Sequence, residues 1–180
     1  MKKIVVSLLF LTWVMYGWSI KQLAPPHAYK KISVNKKYYF KMNPGAGKTG
    51  YGAMYQFNML TQDKLMYETN GWYAHDVDIS HDGIYLVRLG YSYYGSFEPD
   101  EFALGFYKKG QLIKGYLNKD LVRDKSIFTN KYGQRSGCCL NKVYGFEGKE
   151  SYYYKVKTLD NMIYVFDVRN GFVRSVKKKS

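Results

Sequence analysis

A chain of 180 residues carrying a formal net charge of +14 and only two cysteines excludes a large multidomain enzyme, an acidic solvating tail and a disulfide-built miniature fold. Its excess of lysine and arginine predicts anionic partners, held by contacts that weaken in salt.

The first residues read MKKIVVSLLFLTWVMYGWS. Lys2 and Lys3 form a positive region, and Ile4 to Tyr16 form an apolar core too short for a comfortable membrane span. Gly17 and Ser19 are small residues placed for a cut before Ile20, so 1–19 reads as a signal peptide and the protein as exported, periplasmic or secreted. An uncleaved anchor is the alternative; no later stretch is apolar enough to span a bilayer. Residues 20–37 read as an extended basic lead-in containing Pro25-Pro26, residues 38–176 as one β domain, and 177–180 as a basic tail.

Tyr38 to Met42 and Tyr51 to Phe57 read as strands around the loop Asn43 to Gly50. Gly47-Lys48-Thr49 matches the end of a phosphate-binding P-loop, but Met42 stands where its leading glycine belongs, and a strand rather than a helix follows. A hairpin loop accounts for the same residues. Leu65-Met66-Tyr67 opens a further strand that closes at Asn70-Gly71, just before Trp72.

The organising stretch runs from Asp76 to Leu117 and holds four short apolar runs in a row. Asp82-Gly83 joins the first two and reads as a two-residue type I′ turn; Lys109-Gly110 joins the last two. The prediction is an antiparallel β-meander. After it, Asn118 is placed to cap a short helix over 118–124. Lys125 to Lys149 is the least regular segment and carries both cysteines. Ser151 to Thr158, Met162 to Val168 and Phe172 to Val176 then read as strands, the last pair joined at Asn170-Gly171.

A weak repeat is present. Ala53 to Phe57, Ala103 to Tyr107 and Met162 to Asp167 are each followed by a turn and a second strand. The run Ile79-Ser80-His81-Asp82-Gly83-Ile84-Tyr85-Leu86-Val87 resembles the inner hairpin of a β-propeller blade, as found in small exported bacterial proteins. That resemblance covers one blade well and two more loosely. It implies an all-β fold of blade-like hairpins, as an incomplete propeller or a β-sandwich.

Four groups of residues bear on chemistry. Asp78, Ser80, Asp82 and Gly83 match the opening of a calcium-binding EF-hand loop, but Leu89 occupies the place of its bidentate glutamate, and a β-turn explains the same residues. Glu98 and Asp100, with His75 and His81, would make a small cell-wall or glycan hydrolase if folding brought them together across a cleft. Cys138 and Cys139 are adjacent, so in an oxidising compartment they either form a vicinal disulfide, pair between chains or stay free. Twenty tyrosines, many beside lysines, suit half-buried strands and also suit a basic aromatic binding surface, which the reading places on Trp72, Tyr93, Tyr94, Lys108 and Lys109.

The composite expectation is an exported, basic, non-catalytic binding protein of the bacterial envelope that needs no cofactor. Its partner would be an anionic envelope polymer or an acidic protein, one version being a periplasmic immunity protein; an exported protein seldom meets nucleic acid. The hydrolase is the alternative.

Overall fold

The computed structural model describes residues 24–47, 49–90, 98–128 and 138–179; the signal-like segment and Lys48, Tyr93 and Tyr94 lie outside them. The described chain forms three four-stranded antiparallel sheets, each built from four strands taken in chain order. The first holds β1 (Tyr29–Ile32), β2 (Tyr38–Pro44), β3 (Gly50–Gln56) and β4 (Lys64–Asn70). The second holds β5 (Val77–Ile79), β6 (Tyr85–Leu89), β7 (Phe102–Lys108) and β8 (Gln111–Leu117). The third holds β9 (Leu140–Phe146), β10 (Tyr153–Thr158), β11 (Met162–Asp167) and β12 (Phe172–Lys178). A single α-helical turn, α1 (Asn118–Leu121), and a 3₁₀ turn, Lys125–Phe128, follow the second sheet.

The second sheet lies between the other two because its strands are apolar on both faces. Side chains alternate along a strand, so neighbouring Leu86 and Val87 point to opposite sides. Leu86, with Val77, Ile79 and Tyr107, packs against Phe40, Met42 and Met54 of the first sheet. Val87, with Leu89, Leu104 and Phe106, packs against Tyr154, Val156, Tyr164 and Phe166 of the third. The outer sheets bury one face each, and β10 and β11 show it as strict alternation of buried and half-buried residues. The three blade-like meanders stack face to face, and among the described residues no barrel is closed. Full burial of each large apolar side chain contributes about 1.5–3 kcal/mol. The two seams therefore carry most of what holds the sheets together.

Several sequence expectations change here. The type I′ turn is at Lys109-Gly110, where both residues have positive φ (48° and 81°) and Lys108 pairs with Gln111. At Asp82-Gly83 only Gly83 has positive φ, 69°. The loop is wider: Gly83 N–H donates to Ser80 O at 3.0 Å, and Ser80 N–H donates to Tyr85 O at 3.0 Å. The lead-in contributes β1, and the segment expected to be irregular contributes β9. Asn118 does not cap its helix. Its amide donates to Glu98 O at 2.9 Å and accepts from Cys139 N–H at 3.1 Å, while Asp120 takes the Leu117 N–H.

Candidate functional site

The acidic residues of β5 and its turn join the sheets to one another. Lys31 of β1 reaches Asp76 at 2.7 Å and Asp78 at 3.2 Å. From the other side, Tyr154 of β10 donates its hydroxyl to Asp78 at 2.6 Å. Burial pulls the Lys31 ammonium down, but the hydrogen bond to Asp76 and the charges of Asp78 and Asp76 outweigh it and hold the group above its ordinary value. In the turn, Asp82 accepts Ser80 Oγ at 2.5 Å and Ile84 N–H at 3.0 Å through one oxygen, and Tyr152 Oη at 3.0 Å through the other. Of the EF-hand-like residues, Asp78 thus bonds to side chains from both flanking sheets, Asp82 to Tyr152 just before β10, and Ser80 within the turn. Among the described residues no group of three or more His, Cys, Asp or Glu is arranged to hold a metal ion.

The residues of the hydrolase reading are split. Strand β6 pairs with β7 so that Tyr85 faces Lys108 and Leu89 faces Leu104. Glu98 and Asp100 precede β7 and lie beyond the Leu89 end. His81 lies beyond the Tyr85 end, where its ring packs on Tyr152 at 4.8 Å. A five-residue strand at about 3.3 Å per residue separates them. His75 is near the Glu98 end, edge-on to Tyr73, and burial lowers its pKa. Asp100 forms an ion pair with Lys119, and the Glu98 carbonyl accepts from Asn118. The four residues do not converge on one cleft.

Trp72 is 8% exposed, so it packs rather than contacts a partner. Its ring lies parallel to Phe40 and 5.1 Å from Tyr107, its indole N–H donates to Thr69 Oγ1 at 3.0 Å, and the Arg88 guanidinium stacks on it at 4.8 Å. Lys108 and Lys109 are exposed at the β7–β8 turn. Cys138 and Cys139 are buried and free; the hydrogen bond between the two thiols lowers the pKa of Cys138 and raises that of Cys139. A cleft of about 540 Å³ includes Arg123, Asp124, Ile127, Asp160 and Lys178 in its lining. Asp160 already accepts the Arg123 and Asp124 N–H groups at 2.7 and 3.1 Å, which makes it a brace for that loop.

The outer face of the third sheet gathers basic side chains from β9, β10 and β12. Tyr154, Val156 and Thr158 point into the core, so Tyr153, Lys155 and Lys157 point out. The ladder places Lys142 opposite Lys157, Lys157 opposite Ile163, and Ile163 opposite Lys177. One row of side chains across all four strands therefore reads Lys142, Lys157, Ile163, Lys177. The next contains Lys155, Val165 and Ser175. Arg174 lies over the Tyr153 ring at 4.1 Å, and Lys142 and Lys155 flank the Tyr144 ring at 4.8 and 5.5 Å.

Like charges directly opposite one another destabilise a sheet. The acids on this face are already paired: Glu147 with Lys155 at 3.2 Å, and Asp167 with Arg169 at 2.7 Å. The hydrogen bond from Arg169 holds the Asp167 carboxyl below its ordinary pKa. No ion pair involves Lys142, Lys157 or Lys177 among the described residues. The outer face of the first sheet differs. Lys30 and Lys41 stack on Tyr39 and Tyr55, but Asp63 and Glu68 accept from the Tyr39 and Tyr51 hydroxyls beside them. The alternation Lys155-Val156-Lys157 is the visible sign of the lysine row in the sequence.

No family model matches the chain, and no curated protein does. Among solved structures, it is similar to the C-terminal WD40 domain of Sif2 at 11% identity and a TM-score of 0.42, covering 88% of this chain and 39% of that one. It is similar to a protein assigned as a 6-phosphogluconolactonase from Bacteroides fragilis at 14% identity and a TM-score of 0.43, covering 87% of this chain and 40% of that one. For the WD40 β-propeller domain of Doa1 the values are 10% and 0.34, covering 83% and 53%. The chain thus spans from about two fifths to about half of the length of these structures.

Proposed function

We propose that this is an exported, basic binding protein of the bacterial envelope whose work is to hold an anionic partner rather than to catalyse a reaction. The observation that carries the reading is the row Lys142, Lys157 and Lys177 on the outer face of the third sheet, with no carboxylate paired to any of them among the described residues. A sheet that bears the cost of opposed like charges gains when an anionic surface neutralises them. The signal-like segment 1–19 supports export.

Retention on a phosphate- or carboxylate-bearing matrix tests it. The protein is expected to bind at low salt, to release at high salt, and to lose retention on Lys155→Glu/Lys157→Glu while Lys108→Glu/Lys109→Glu changes little. Equal losses for the two pairs would show that net charge alone is responsible and would remove the site. Export is tested separately by N-terminal sequencing of the protein from its host, which should begin after Ser19.

A further inference from the structure

The outer face of the third sheet is more than a set of cations. Ile163 and Val165 stand on it, half-buried, between Lys157 and Lys177 in one row and between Lys155 and Ser175 in the next. Tyr153 lies two residues from Lys155 on β10, and Tyr144, 41% exposed, lies beyond Lys155 on the edge strand β9. The face therefore carries an apolar pair on β11 with lysines beside it, Lys155 and Lys157 on β10 and Lys177 on β12, and with Lys142 and Arg174 on the edge strands. Protein interfaces combine the two, apolar anchors that are desolvated and charges that find partners.

A polymer with a charge on every unit would satisfy the lysines and bring nothing to Ile163 and Val165. A second copy of this chain would bring either this same basic face, lysines against lysines, or, among the described residues, the outer face of the first sheet. Its carboxylates Asp63 and Glu68 already lie against Lys30, Lys41 and the tyrosines of that face, so such a pairing would bury lysines against lysines.

We propose that the outer face of the third sheet is a docking surface for an acidic protein, one that presents carboxylates to the lysines and apolar side chains to Ile163 and Val165. This rests on the binding function proposed above and narrows its partner. The complement it requires is a surface on which carboxylates surround or alternate with apolar side chains at strand spacing, about 4.8 Å between neighbouring strands.

The test uses the protein as purified from its host and three probes: a soluble peptide alternating glutamate with leucine, poly-glutamate, and inorganic polyphosphate. Binding is followed by the amide spectrum. The alternating peptide should bind most tightly and perturb β9 to β12. Ile163→Thr/Val165→Thr, which keeps β-branched residues, should weaken it about tenfold and leave poly-glutamate and polyphosphate unchanged. Lys155→Glu/Lys157→Glu should abolish all three.

If poly-glutamate or polyphosphate matches the alternating peptide, or the threonine variant binds all three as the wild type does, the partner is a polyanion; the acidic-protein inference falls and the binding function stands. If no probe binds at low salt, both fall. A dimer in sedimentation that the same threonine variant dissociates would make the occupant a second copy, and that too overturns the proposal.

Discussion

Gly83 shows how one residue joins a turn to the neighbouring sheet. It sits at φ 69°, where side chains other than glycine are strained, and a Cβ placed there would lie 2.6 Å from the Tyr38 ring. Gly71 also has positive φ, 82°, but a Cβ there meets nothing within 4 Å. Alanine at Gly83 is therefore expected to cost about 1–3 kcal/mol, and alanine at Gly71 distinctly less, in urea titrations. Equal costs would mean that Tyr38 does not rest on the turn. The Asp82-Gly83 pair was legible as a turn from its dipeptide. Its type was not, because the Asp82 carboxylate gathers Ser80, Ile84 and a tyrosine seventy residues away. The turn's width follows from those tertiary contacts, which local chemistry does not contain.

Among the elements, β5 is short and holds three sheets in register. Lys31 approaches Asp78 from one side and Tyr154 from the other. Tyr154→Phe removes a hydroxyl from a charged acceptor and should cost about 1.5–3 kcal/mol. Asp78→Asn should cost a comparable amount. The double variant should cost clearly less than the sum, since the two groups share one bond. Strict additivity would contradict the bond.

This contact also explains why β1 was hidden in the sequence. Lys31 points inward toward acids, so the strand YKKI reads as polar lead-in. Strand β9 was hidden by its register shifts against β10 and by Gly145 at φ 82°. The central meander and the β11–β12 hairpin were legible because their apolar runs are bounded by clear turn dipeptides, Asp82-Gly83, Lys109-Gly110 and Asn170-Gly171. The lysine row was not, since Lys142 comes from β9, whose pairing the sequence does not announce, and Lys177 reads as part of a basic tail.

At the scale of the molecule, a sheet buried on both faces separates two sheets buried on one. The amides of β6 and β7 should accordingly exchange slowest, and those of β1 and β12, the outermost strands of the flanking sheets, faster. Burial, aided by Asp63, pushes Tyr39 up to about 12 from 10.0, and burial likewise raises Tyr116 and Tyr164. For an acid whose folded pKa is raised, the unfolded chain ionises first. Stability should therefore fall as pH rises through about 10 toward 12, with loss of sheet signal accompanying tyrosinate absorbance. Ionisation of these tyrosines at their ordinary value with the fold intact would contradict their burial.

Lysine acetylation with and without polyphosphate tests most directly whether binding is localised on the third sheet. Polyphosphate should protect Lys142, Lys155, Lys157 and Lys177, and leave Lys30, Lys41, Lys108 and Lys109 as reactive as in the free protein. Protection spread evenly over all of these lysines, or concentrated on the first sheet, would contradict the account.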